Sequence, residues 1–329
     1  MKIDMFGHGM SRVLRDRVLE NFTRAEGSLA NWYDLDPLFD EARRLSLLDA
    51  NEIDVQVLTA PSPPLETLFD GEELREMSRV ANDSMAELTA TSGGRLRGTV
   101  SVPLCDPEFA VEELRRGVES LGLLGPQIFT SSRGMPLDDP RLEPFWTELE
   151  RLGVPAWMHP ERRASQSDYP DEEGSRYSLF LVLGWPYESS VAMTRLVFSG
   201  VLERHPHLNI IVHHAGAMIP FFRLRIDAHY PEGEQLGRID GPQVTTALLD
   251  GFRRFYVDTA IHGPVSSLMA AHEFFGADHM VMGTDTPFGP EQGASFCRWG
   301  SRVIDDMPIP EEEQGLIRSE NALALTRIV

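Results

Sequence analysis

The chain has 329 residues, 42% of them hydrophobic, enough to bury a large core, and no run approaches the roughly 18 consecutive apolar residues of a membrane span. Its formal net charge of −21 comes from acidic residues dispersed over the whole length, a field that repels phosphate backbones and anionic membranes and argues against nucleic acid or membrane partners. Two cysteines without metal or redox spacing, Cys105 and Cys297, and an N-terminus with no basic segment ahead of an apolar one lead to the expectation of a soluble cytoplasmic protein.

Short apolar, β-branched runs begin with Lys2 to Met5 and recur at Val55 to Leu58, Thr99 to Val102, Pro126 to Phe129, Pro155 to Met158, Ile210 to Val212, Phe255 to Val257 and Met280 to Met282. Near-continuous hydrophobicity, rather than alternation, is the pattern of strands buried on both faces, as in parallel sheets covered by helices. The segments between them have helical period, as in Leu74, Met77, Val80, Ala81, Met85 and Leu88, or Leu142, Phe145, Trp146, Leu149 and Leu152. Pro107 and Pro140 stand at first-turn positions, each just after an aspartate able to cap. No linker, low-complexity tract or internal repeat divides the chain, so one domain over residues 1–329 is expected. Eight strand and helix alternations predict an α/β fold, a (β/α)8 TIM barrel, although an open doubly wound sheet has much the same local pattern.

In a barrel the chemistry sits at the C-terminal rim, so reactive side chains should cluster just after the strands. His8 follows the first strand, His159 ends the fifth, His214 ends the sixth and Asp285 follows the eighth. Imidazole and carboxylate suit zinc, manganese or iron, and three such groups leave positions open for water or substrate. Singly, each of these histidines would more often be a surface or hydrogen-bonded core residue, and Asp285 equally suits a helix cap. His213 adjoins His214; on a continuing strand the two point to opposite sides and only one enters the mouth, which makes His213 the weaker candidate. Asp258, after the seventh strand, reads as a hydrogen-bonding residue within the rim. His205, His207, His229, His262, His272 and His279 read as structural.

Beyond these local signals, the sequence resembles the second amidohydrolase family, in the branch containing aminocarboxymuconate-semialdehyde decarboxylase and the metal-dependent benzoate-type decarboxylases. The resemblance is carried by Ile3-Asp4-Met5-Phe6-Gly7-His8, Met158-His159-Pro160, Gly184-Trp185-Pro186-Tyr187-Glu188 leading to His205-Pro206, then His213-His214-Ala215-Gly216, Tyr256-Val257-Asp258-Thr259-Ala260 and Gly283-Thr284-Asp285-Thr286-Pro287-Phe288. It implies a divalent metal, zinc first and manganese as the alternative, held by His159 and Asp285 with His8 as third ligand, and His214 as the acid/base. It also implies that Arg225, eleven residues beyond His214, reaches the substrate of a neighbouring subunit in a homodimer.

One position departs from that family. The first strand there ends His-x-His or Glu-x-His, whereas here the first member is Phe6, which cannot coordinate a metal. Three candidate ligands remain, still enough for an open catalytic centre, with loss of the metal as the other outcome. The leading expectation is metal-dependent nonoxidative decarboxylation of an unsaturated or aromatic carboxylic acid, a small-molecule substrate, with His214 delivering a proton to the carbon that loses carbon dioxide. The alternatives are hydrolysis of a lactone or amide, or hydration of a double bond, with Asp285 as base and with or without metal, and a barrel kept for binding alone. Trp185 and Tyr187 are candidates for an apolar substrate wall, and equally for packing.

Overall fold

The computed structural model describes residues 1–22, 26–237, 247–326 and 328. Eight parallel strands run β1 (Ile3–His8), β2 (Val55–Thr59), β3 (Leu96–Gly98 with Val100–Ser101), β4 (Pro126–Phe129), β5 (Ala156–His159), β6 (Ile210–Val212), β7 (Tyr256–Asp258) and β8 (Met280–Val281). Each pairs with its neighbour in chain order, in two arcs of ladder that meet at Thr99 inside β3, where the Thr99 amide donates to the Leu58 carbonyl at 3.0 Å and that of Val100 to Gly125 at 2.8 Å. The ring closes between β8 and β1, where the Met5 amide donates to the Met282 carbonyl at 2.8 Å. The expected barrel is therefore the fold, and the open sheet is not.

After each strand the chain returns on a helix: α1 (Glu41–Ala50), α2 (Gly71–Ala90), α3 (Pro107–Glu119), α4 (Glu143–Leu152), α5 (Trp185–Phe198), α6 (Ile219–Gln235), α7 (Val265–Phe275) and α8 (Ala294–Gly300). The proline-aspartate pairs start helices as expected. Asp106 caps α3, its carboxylate accepting from the Phe109 amide, and Asp139 caps the short turn Pro140–Leu142 that leads into α4. Apolar faces of the helices close on the strands in one outer core that includes Leu114, Phe145, Trp146, Leu196 and Phe274, all buried. Inside the barrel, Met5, Val57, Trp157, Ile211 and Val281 fill the floor, and the Trp157 indole N–H donates to the Met5 carbonyl at 2.7 Å. Among the described residues no helix is long and apolar enough to cross a membrane.

Two features of β1 position the site. Its register against β2 slips between Asp4 and Gly7, three residues on β1 against two on β2, a bulge that re-aims side chains at the rim. Gly7 sits where a Cβ would come within 2.6 Å of Gln56, so only glycine fits beneath His8. Below the rim, the fully buried Arg44 of α1 donates to Gln56 Oε1 at 2.6 Å and to the carbonyl oxygen of His8. Gln56 in turn donates to Asp4, whose carboxylate accepts from the amides of Thr284 at 3.0 Å and Phe6 at 3.1 Å. Burial pulls the Arg44 pKa down to about 10, opposed by the charge of Asp4, so the guanidinium stays ionised at neutral pH. Arg44→Ala would strip His8 and Gln56 of their donor and leave the buried carboxyl of Asp4 without its countercharge. A loss of ~3–5 kcal/mol in urea unfolding is expected, and a loss below about 1 kcal/mol would contradict this role.

Candidate active site

Four groups named from the sequence meet at the C-terminal mouth. His8 Nε2 lies 3.0 Å from Asp285 Oδ1. Backbone bonds between the end of β1 and the turn after β8, from Asp285 to Phe6 at 2.8 Å and from His8 to Thr286 at 2.7 Å, hold the two side by side. His159, at the end of β5, stands 5.3 Å from His8 between ring centroids, and His214 stands 6.3 Å from His159. Asp285 caps no helix: its carboxylate is engaged by histidines, and the next helical turn begins only at Glu291.

The structure corrects the reading of His213. It is fully buried at the centre of the cluster, its ring 5.4 Å from His159 and 6.0 Å from His8, and its Nε2 lies 3.4 Å from Asp285 Oδ1. Strand alternation does not apply, because β6 ends at Val212, and His214 and Ala215 then take left-handed conformations with φ of 65° and 54°. The turn brings both imidazoles to the mouth, their ring centroids 3.8 Å apart. Gly216 continues it at φ 72°, where a Cβ would fall within 2.6 Å of Phe275.

His262 is the second correction. Rather than being structural, it lies on the loop after β7, stacked on Phe296 at 3.5 Å, with Nε2 3.4 Å from Asp285 Oδ2. The available signal was its distance of four residues from Asp258 at a strand end. Asp258 bonds within the rim as expected, accepting from His213 Nδ1 and from the amides of His214 at 2.9 Å and Ala260 at 3.0 Å. Four of the remaining histidines, His205, His229, His272 and His279, pair with carboxylates away from the mouth.

The hydrogen bonds decide what the cluster can hold. His8 Nδ1 faces the Ala60 carbonyl at 3.2 Å and the Thr59 hydroxyl at 3.0 Å, whose own proton goes to the Gly7 carbonyl at 3.1 Å; His159 Nδ1 faces the Pro160 carbonyl at 2.6 Å, and His213 Nδ1 faces the Asp258 carboxylate. Carbonyls and carboxylates only accept, so each Nδ1 carries a proton and each Nε2 presents a lone pair or, when charged, a second proton. Three imidazoles fixed in this way by an acceptor at Nδ1 are the arrangement found around protein-bound metals. One ligand atom from each of His8, His159 and His213 lies within 4.8 Å of the others, and so do ligand atoms of His213, His214 and Asp285. His213 Nε2 and His214 Nδ1 are buried without a hydrogen-bond partner. A divalent cation with nitrogen and oxygen preferences fits this donor set.

The electrostatics place neutral imidazoles at His159 and His214 beside an anionic carboxylate at Asp285. Burial, reinforced by neighbouring histidines, holds His159 and His214 well below the ordinary value of 6.5. Burial also opposes the charge on Asp285, but the imidazoles of His213, His262 and His8 drawn against it outweigh burial and hold that carboxyl well below 3.8. At His213 burial acts downward, and the carboxylates of Asp258 and Asp285 overcome it, raising the pKa to about 9. That value belongs to the cation-free cluster, in which a proton on His213 Nε2 would meet Asp285.

Aromatic rings line the approach. Trp185 stacks beside His214 with ring centroids 6.4 Å apart, Trp32 meets both Trp185 at 6.1 Å and Phe288 at 4.9 Å, and Phe288 covers His8 at 4.9 Å. Tyr187, the other candidate wall residue, is 53% exposed on α5 and takes no part in these ring contacts. Arg225 is exposed on α6 and, among the described residues, forms no ion pair within its own chain.

The sequence pattern of the amidohydrolases matches residues 16–328, spanning seven of the eight strands and every rim group except His8. The chain belongs to the amidohydrolase family. Gamma-resorcylate decarboxylase of Rhodococcus jostii (strain RHA1) is 32% identical over 298 residues, covering 87% of each chain. The crystal structure of 5-carboxyvanillate decarboxylase from Sphingomonas paucimobilis superposes with a TM-score of 0.86 at 25% identity, over 100% of this chain and 99% of that one. Dihydroxybenzoic acid decarboxylase of Polaromonas sp. JS666, solved with bound manganese and the inhibitor 2-nitroresorcinol, has a TM-score of 0.76 at 26% identity over 98% and 96% of the two chains. This amidohydrolase thus shares its barrel with enzymes that remove carboxyl groups from hydroxylated aromatic rings.

Proposed function

We propose that this amidohydrolase is a divalent-metal-dependent, nonoxidative decarboxylase of an aromatic carboxylic acid, of the ortho-hydroxybenzoate kind. The observation that carries the reading is the convergence of Nε2 lone pairs and one carboxylate beneath an aromatic wall of Trp32, Trp185 and Phe288. His8, His159 and Asp285 would hold the ion, zinc in preference to manganese because imidazole outnumbers carboxylate. When bound, it would draw electron density from the substrate's carboxylate and adjoining oxygen.

The chain's own residues supply the proton transfer. His214, neutral through burial and unpartnered at Nδ1, is free to accept the proton of the ring hydroxyl. As the bond between ring and carboxyl breaks, carbon dioxide departs and the electron pair stays on the ring carbon, which takes that same proton back from His214; a hydroxybenzoate thus becomes a phenolate and carbon dioxide. The Trp185 face, beside His214, would seat a flat ring and exclude water. Arg225, which forms no ion pair among the described residues, would meet the substrate of a second copy in a homodimer, as a guanidinium suited to a carboxylate.

The direct test incubates metal-loaded protein with a panel of ortho-hydroxybenzoates and follows loss of the carboxyl carbon by carbon-13 NMR. Release of carbon dioxide, abolished by a chelator and restored by zinc or manganese, is expected. No release from any member, with turnover of lactones or amides instead, would replace decarboxylation by hydrolysis at the same site.

A further inference from the structure

We infer that His213 is itself a metal ligand in this chain, an imidazole from the end of β6 filling the side of the site that Phe6 closes. The inference rests on the metal-dependent reading of the site and adds to it a ligand which the sequence set of His8, His159 and Asp285 does not contain.

Three observations converge on it. His213 Nε2 is buried without a hydrogen-bond partner, in reach of the ligand atoms of His8 and His159 and 3.4 Å from Asp285 Oδ1. A buried imidazole nitrogen left unpaired costs free energy of ~1–3 kcal/mol, which a bound cation would remove. The other edge of the ring is fixed: Nδ1–H donates to Asp258, and Asp258 is itself fully buried and tied to three backbone amides, so the tautomer and the direction of Nε2 are set before any ion arrives. Finally, Phe6 lies flat on His213, with centroids 3.9 Å apart and planes 14° from parallel, and its own ring stands 5.9 Å from His8 and 6.2 Å from His159. Phe6 therefore occupies space beside the cluster without a donor atom, and it clamps against Asp258 the imidazole that has one. Asp258 is a positioning residue for this ligand, and Phe6 a packing partner.

The geometry also predicts that the two rings exchange roles. In His213→Ala the space above position 6 opens, and a histidine at position 6 would lie within ~6 Å of both His8 and His159, close enough for its outer nitrogen to take over.

The test measures zinc affinity by competition with a chromogenic chelator, on variants shown to be folded by circular dichroism. His213→Ala should weaken zinc binding by more than the ~10–100-fold typical of losing an outer partner, and Asp258→Asn by an amount within that range. Adding Phe6→His to His213→Ala should recover at least about tenfold, whereas Phe6→His alone, facing a site already filled, should tighten retention modestly. X-ray absorption at the zinc edge of the wild-type protein, which needs no variant to fold, should count three imidazoles. Wild-type affinity in a folded His213→Ala, or two imidazoles in the wild type, would overturn the ligand role of His213 and leave the three-ligand site standing. Failure of the wild type to bind zinc or manganese at all would overturn the metal-dependent reading itself, and with it this inference.

Discussion

His159→Ala and Asp285→Ala are each expected to strip the protein of its metal and to lower turnover by at least about 10³-fold. Their effects exceed those of any surface change because both side chains are bound into the centre. His159 is 2% exposed, and its Nδ1 proton is committed to Pro160, so Nε2 is the only nitrogen left to face the cluster. Asp285 brings a carboxylate to the imidazoles of the mouth, touching His8, His213 and His262 at 3.0, 3.4 and 3.4 Å. Without it the histidines would surround a divalent charge with no anion to offset it, and without the ion the substrate carboxylate would lose several kcal/mol of stabilisation, at 1.36 kcal/mol per tenfold. Asp285 also stands at φ 59°, where alanine is strained by roughly 1–2 kcal/mol, so Asp285→Asn, which tolerates that conformation, separates loss of charge from loss of backbone geometry. Elemental analysis of each purified variant against the wild type decides the matter. Close to one ion per chain in the wild type and a small fraction of that in both variants is the expected result; full retention by both would remove His159 and Asp285 from the metal site.

The barrel was legible because strands buried on both faces leave an apolar run each, and these runs are interrupted by amphipathic helices. The third strand begins at Leu96 rather than at Thr99, because Arg97 and Gly98 break its apolar pattern. His8, His159 and Asp285 stood out as polar residues terminating apolar runs, and the turn from β8 to Phe6 brought the first and last of them together as the ring closure required. What the pattern did not carry was the direction of side chains beyond a strand's last pair. At His213 alternation no longer holds, because the strand ends at Val212 and the backbone turns left-handed at His214. His262 lies hidden in the same way, as a loop residue at φ 48° whose place is visible through Asp285, Phe296 and Trp299. Phe6, read as the one break in an otherwise continuous family pattern, is the residue against which His213 packs, so the missing ligand and the overlooked one are two sides of a single contact.

His214→Asn is expected to keep the metal and lose ~10²- to 10⁴-fold in turnover, the usual contribution of a positioned proton carrier. His214 differs from His213 in two respects that assign it to proton transfer. Its Nδ1 is unpartnered, with no carboxylate fixing a tautomer as Asp258 fixes that of His213, so the ring can gain and release a proton without breaking a structural bond. It also stacks beside Trp185, on the side of the mouth where the aromatic wall would seat a substrate ring. Asparagine suits the test because it tolerates the φ of 65° at this position and preserves the amide that donates to Asp258. A proton carrier acts in the transition state, so kcat and kcat/KM should fall together with KM little changed. In deuterated water, any residual product should carry deuterium at the carbon that lost its carboxyl group, delivered by solvent in place of the imidazole. His214 also lies within 4.8 Å of His213 and Asp285 by its ligand atom, so coordination is the rival role. A folded His214→Asn protein that has lost its metal would establish that rival, and the proton would then have to come from another group at the rim.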